Sequence, residues 1–192
     1  MNKPIVRGIT QRAERFALTC RRFRSASTGM AAIEMAFVFP MMLIVYFGLV
    51  DITNLLSANR RVTIASSTIA DLVTQAPGTL NKADLTGFYN AVSPIMDPFP
   101  SSSVQIDVAD YRKIGTTITK IWSNAKNGGC SSTPSTAGMA NLMNDGNDIV
   151  LARVCILYHP VTGKVFGSAP LTLHDEMVLR PRQMLTLDCT DC

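Results

Sequence analysis

The side chains that could do chemistry fall into three groups. The first is a single acid, Glu34, set near the start of a long apolar run, STGMAAIEMAFVFPMMLIVYFGLV. An ionised carboxylate in hydrocarbon costs at least a few kcal/mol, so it persists only with a partner. The chemistry it implies is the selection of a cation. The bland alternative is that Glu34 snorkels to the headgroups and does nothing else. The second group is cysteine: Cys20, Cys130, Cys155, Cys189 and Cys192, the last two in a C-x-x-C that closes the sequence. The third is His159, before Pro160, and His174, before Asp175-Glu176. The latter trio could ligate a metal, but a solvated polar turn is the plainer explanation. DVADYR and DGND hold acids suited to calcium only in composition, because their spacing departs from an EF-hand. G-x-S-x-G, H-E-x-x-H and phosphate-loop motifs are absent. No catalytic residue, cofactor or metal site is assigned, and the chain is not read as an enzyme.

These residues must be positioned by elements, and the apolar run is the clearest one. It extends from Met35 to Val50, or from Met30 if Glu34 is admitted, which is long enough to span a bilayer as a helix. Pro40, Phe47 and Gly48 lie within it; membrane helices accept proline with a kink. The chain has 192 residues, 47% hydrophobic and 17% charged, with a net charge of +4. Residues 1–29 hold seven Lys/Arg against one acid, leaving eleven against thirteen in the remainder. The basic character therefore belongs to the N-terminal tail, and a basic nucleic-acid-binding domain loses its support. The same asymmetry places residues 1–29 in the cytoplasm and the C-terminal part across the membrane.

Three interpretations of this segment compete. A cleaved secretory signal needs a small-x-small site after the apolar stretch, and Leu56-Ser57-Ala58 is a poor match. An uncleaved anchor fits the hydropathy but leaves Glu34 unexplained. The third interpretation uses Gly29, the basic residues before it and Glu34 five residues after it. This arrangement resembles the class III signal of type IV pilins and pseudopilins. More narrowly, GMAAIEMAFVFPMMLIVYFGLVDITNLL is similar to TadE-type (TadE/TadG-like) pseudopilins of the tight-adherence system. Glu34, Pro40, Phe47 and Gly48 occupy that pattern's places, and the later LRPR, Leu179 to Arg182, is also reminiscent of it. The resemblance implies that a prepilin peptidase cuts after Gly29 and leaves Met30 as the new N-terminus. It implies that Glu34 pairs with the Met30 amine of a neighbouring subunit during assembly. Glycine suits such a cut because it has no side chain to obstruct approach. Glu34 and Met30 are one helical turn apart.

Beyond the membrane the helix should continue. Leu55, Ala58, Val62, Ala65, Ile69, Leu72 and Ala76 recur at spacings of three and four, an amphipathic pattern that Pro77-Gly78 stops. From Met30 to Gln75 such a helix would be about 70 Å long at 1.5 Å per residue. Its stripe would pack on the chain's own domain or on another subunit. Leu80 to Val92 suggests a second helix, closed by Pro94. Val104, Ile106 and Val108 alternate with polar residues as a half-buried strand, and Thr116 to Trp122 is a candidate partner. SNAKNGGCSSTPSTAG reads as a turn-rich loop. Asp148 to His159 is the clearest strand, with weaker strands at Val165–Phe166 and Leu171–Leu179.

The expected fold class is α+β, a long N-terminal transmembrane helix packed on a small antiparallel-sheet domain, which is the pilin-like architecture the resemblance implies. The expected organisation is a leader at 1–29, a transmembrane and amphipathic helix at 30–76 and an extracytoplasmic domain at 77–192. Cleavage after Gly29 would remove Cys20. Cys130, Cys155, Cys189 and Cys192 would remain on the oxidising side as disulfide candidates with three complete pairings open. A zinc site is the alternative, but it would require all four thiolates to converge. A redox C-x-x-C normally opens a helix in a thioredoxin-like setting. The expected function is a minor structural or assembly component of a tight-adherence (Flp-type) pilus or secretion apparatus. Its expected partners are the inner (cytoplasmic) membrane, a prepilin peptidase and other pilin or pseudopilin subunits. The alternative is a single-pass, membrane-anchored periplasmic enzyme or binding domain.

Overall fold

The computed structural model describes residues 29–192 apart from 132, 135, 137, 164–166 and 168. The 1–28 stretch with Cys20 and the Val165–Phe166 strand expectation lie outside the described residues. Helix α1 spans Gly29–Thr74. Residues up to Leu49 form one unit and Val50–Cys192 a second.

In the first unit the helix runs unbroken through Pro40. Its apolar side chains are bare: Met30 is 72% exposed, Phe37 78% and Met41 72%. An unbroken apolar surface of this size marks a lipid or protein contact. Among the described residues, one helix is long and apolar enough to cross a membrane. A single such helix fits a single-pass membrane protein.

The second unit is mixed α+β. It contains β1 (Thr79–Leu80), α2 (Lys82–Val92), β2 (Val104–Ile114), β3 (Thr117–Lys126), α3 (Met139–Leu142), β4 (Asp148–Tyr158), β5 (Leu171–Leu179) and β6 (Asp188–Cys189). Four strands form an antiparallel sheet in the order β3-β2-β4-β5, and β1 pairs in parallel with β6. The C-terminal half of α1 packs on this sheet. Val62, Ala65, Ile69, Ala70 and Val73 are fully buried in one core with Ile106, Val108, Val150, Val154 and Ile156. The small residues let the helix backbone approach the sheet, while Ile69 and the valines fill the space between. Burying a side chain such as Ile69 contributes about 1.5–3 kcal/mol. The other sheet face holds a smaller cluster, Ala109, Tyr111 and Leu151 beneath Met139.

The expected stripe drifts at its end: Val73 is buried and Leu72 only partly. Helix α1 also stops at Thr74, before Pro77-Gly78. Its end is tied off by the LRPR segment. The Arg182 amide donates to the Thr74 carbonyl at 2.9 Å, and its guanidinium pairs with Asp71. Gly78 has φ +92°, and a Cβ there would meet Met184 at 3.2 Å, so the turn favours glycine. Helix α2 begins at Lys82, with Asn81 and Asp84 forming a reciprocal capping box, and Leu80 belongs to β1 instead.

Two strands are longer than their alternation suggested. Strand β2 continues through DVADYR to Ile114, so that acidic stretch is not a loop. Strand β3 continues through Ser123 to Lys126, which were expected in the turn-rich loop. Asp110 pairs with Trp122 and Tyr111 with Lys120, leaving Ile121 as the extra residue of a bulge.

Candidate functional site

The segment that carries the predicted chemistry is the first turn and a half of α1. Gly29 is helical and is the first described residue, and a Cβ built on it meets nothing within 4 Å. Met30 and Glu34 follow at a separation of four on continuous helix, so both lie on one side of it. Glu34, Met35, Pro40 and Phe47 are exposed, with Gly48 and Val50 half-buried. Met30 to Val50 is 21 helical residues, about 31 Å at 1.5 Å per residue, against a hydrocarbon core of about 30 Å. That match would place Glu34 inside one hydrocarbon boundary and Asp51 just beyond the other.

Asp51, just after the apolar run, was not singled out from the sequence as a site. It is 8% exposed. Its two carboxylate oxygens accept the backbone N–H of Val161 and of Thr162, each at 2.8 Å, and the Thr162 hydroxyl donates to it as well. The Thr162 hydroxyl, followed by the two backbone donors, holds the carboxyl below its ordinary pKa against the opposing effect of burial. The Tyr158 hydroxyl adds a donor to the Asp51 carbonyl at 3.4 Å. The signal available in the sequence was an acid placed directly after an apolar run.

A second buried acidic group lies where β2, β4 and the C-terminal segment meet. Arg112 clasps Asp148 through Nε at 2.6 Å and a terminal nitrogen at 2.8 Å, and that nitrogen also reaches Asp188 at 3.1 Å. The Leu187 amide donates to Asp148 at 2.7 Å. Beside them, Asp110 is fully buried, and its carboxyl oxygens make no hydrogen bond. Burial and the neighbouring Asp148 carboxylate push its pKa up to about 8. Alternation on β2 and β4 puts Asp110, Arg112 and Asp148 on the same face.

The cysteines resolve into two pairs at disulfide distance. Cys130 meets Cys155, with Cα atoms 5.7 Å apart, and Cys189 meets Cys192 at 5.8 Å. Of the three open pairings, the structure takes this one, and the four thiols do not converge on one point. The first pair is seated by Asp107, which accepts the Cys130 amide at 2.9 Å and pairs with Arg153 at 2.6 Å. Gly129 crosses so close that any Cβ would collide with that carboxylate. His174, Asp175 and Glu176 lie in β5, not in a turn, and adjacent residues on a strand point to opposite faces. Among the described residues, no group of three or more His, Cys, Asp or Glu could hold a metal ion.

Residues 29–71 match the TadE-like protein family. No curated protein and no solved structure matches the chain. The TadE-like match lies wholly within α1, beginning at Gly29 and ending at Asp71, the residue that pairs with Arg182.

Proposed function

We propose that the protein is a membrane-inserted TadE-like pseudopilin, a minor structural or assembly component of a tight-adherence pilus. In this reading residues 1–29 are a cytoplasmic leader, 30–76 the transmembrane and amphipathic helix, and 77–192 the extracytoplasmic domain. A prepilin peptidase removes the leader after Gly29 at the cytoplasmic face of the inner membrane. The Met30 amine so created is the cation that Glu34 of a neighbouring subunit selects. The observation that carries the reading is that the family match begins at Gly29, the residue five before Glu34.

The test is coexpression with the matching prepilin peptidase, read by intact mass and N-terminal sequencing. The mature chain is expected to begin at Met30, and Gly29→Phe is expected to stay at full length. A Cβ at Gly29 meets nothing within 4 Å among the described residues, which supports reading that substitution through the protease. A Gly29→Phe chain with the wild-type mature mass would overturn the assignment. A wild-type chain that keeps its first 29 residues would favour a membrane-anchored enzyme or binding domain instead.

A further inference from the structure

Within the second unit, Asp51 ties the start of its part of α1 to one end of the sheet. That end comprises the close of β4, the start of β5 and the turn at Val161–Thr162. Tyr158, the last residue of β4, pairs with Leu171, the first of β5. Three large apolar side chains are bare there: Leu157 at 48%, Leu171 at 49% and Val161 at 52% exposure. Leu157 is the only exposed residue of β4. It lies on the opposite sheet face from Tyr158, whereas Leu171 shares the Tyr158 register, so the bare residues form a rim at the strand ends and not a stripe on one face. On α1, Ile52 and Leu56 are 55% and 64% exposed.

Chain continuity determines what lies beside this rim. Asp51 follows Val50 directly, and Val50 closes a run whose helical length equals the thickness of the hydrocarbon core. The headgroup layer on each side is about 5–7 Å deep. The Val161 and Thr162 amide nitrogens are each 2.8 Å from the Asp51 carboxylate. In the proposed span their turn would come to that layer. A carboxylate buried in protein is disfavoured unless it has donors, and Asp51 has three.

We propose that the rim formed by Leu157, Val161 and Leu171 rests in the headgroup layer of the bilayer from which α1 emerges, with Asp51 as the joint that holds it there. The proposal rests on the reading of Met30 to Val50 as a membrane span. Its occupant is lipid: apolar side chains enter the boundary between headgroups and acyl chains while the backbone donors of the turn are satisfied by Asp51. A cleft of about 620 Å³, lined in part by Phe99, Leu157, His159 and Thr172, opens at the same end.

The test uses the full-length chain reconstituted in phosphatidylcholine vesicles with and without headgroup-nitroxide lipid. Single tryptophans are added at Val161→Trp and Leu171→Trp. Ile114→Trp serves as control, since Ile114 is 60% exposed at the opposite end of β2. The native Trp122 is buried and supplies a constant background. The added emission at 161 and 171 is expected to fall about twofold or more with nitroxide lipid, with Ile114→Trp unchanged. Equal quenching at all three positions, or none at 161 and 171, in vesicles that retain the chain through carbonate washing overturns the lipid contact and leaves the span intact. Extraction of the chain by carbonate overturns the span itself, and this proposal with it.

Discussion

Glu34 and Asp51 are both acids at the ends of the apolar run, yet their surroundings differ. Asp51 finds three donors within its own chain. Glu34 lies on an exposed helix surface, and the proposed reading gives it a cation. A Met30 amine from another subunit supplies one in the proposed reading. Removing the charge while keeping the shape isolates that pairing, so Glu34→Gln should leave membrane insertion and most leader removal intact. Pilus assembly should fall to background, because a neutral amide no longer selects an ammonium group. Leader removal, membrane fractionation and surface pili would be measured in one strain carrying the whole system. Normal piliation would sink the pairing. A complete block of cleavage would make Glu34 a recognition element for the peptidase instead.

The elements differ in how much of them could be read from residue order. The α1 stripe was legible from Leu55 to Ile69 because one face meets a core and the others do not. It slips to Val73 at the end because 3.6 residues per turn does not match an alternating three-and-four count. Strand β2 was legible only to Val108. Beyond it both faces are covered, by the C-terminal segment around Leu187 and Asp188 on one side and Met139 on the other, so Ala109, Asp110 and Tyr111 are buried in succession and alternation vanishes. The end of β3 is polar because it is an edge strand, and polar edges deter pairing with other chains. The two-residue pair β1 and β6 has no local pattern, since long-range bonds such as Asp188 N–H to the Gly78 carbonyl hold it. In the candidate site, Gly29 and Glu34 were legible by spacing. Asp51 was not, because its partners lie 110 residues away.

Asp110 was hidden for the same reason, and its burial has a consequence for pH. Its folded pKa is raised to about 8, whereas an unfolded aspartate titrates near 3.9. Between those values the folded chain binds the extra proton. The stabilising contribution is therefore full below about pH 4 and is lost as pH rises toward 8. Thermal unfolding in detergent, followed by Trp122 fluorescence, should show falling stability across that window. Asp110→Asn removes the titration and should flatten the fall, most clearly between about pH 5 and 7. An unchanged slope would mean that Asp110 ionises freely. Asp51 does not confuse the result, because its lowered pKa confines its own loss of stability to more acidic pH.

At the scale of the whole molecule, the sheet unit is closed by two covalent links of unequal reach. Cys130 and Cys155 are 25 residues apart and join the loop after β3 to the middle of β4. Cys189 and Cys192 are three apart and close only a local ring after β6 begins. Restricting the unfolded chain stabilises roughly with the logarithm of loop length, giving about 3.5 kcal/mol for the first and about 2 kcal/mol for the second. The C-terminal segment is also held without its disulfide, by Asp148 to the Leu187 amide and by the Trp122 indole N–H to the Leu187 carbonyl at 2.8 Å. The double replacement Cys130→Ala/Cys155→Ala should therefore lower the unfolding midpoint more than Cys189→Ala/Cys192→Ala. Cys155 is 2% exposed, so its loss also leaves a small void in the sheet. Thiol trapping of wild-type mature protein from an oxidising compartment should find few free thiols. Each double variant should likewise trap few, since its remaining pair is local to itself. Two free thiols in either variant would show that the partners exchange, and four in the wild type would reject the disulfides. If the C-terminal pair proved the more costly to remove, the chain-entropy argument would fail here, and the C-x-x-C would have to hold the β1–β6 pairing through the folded state.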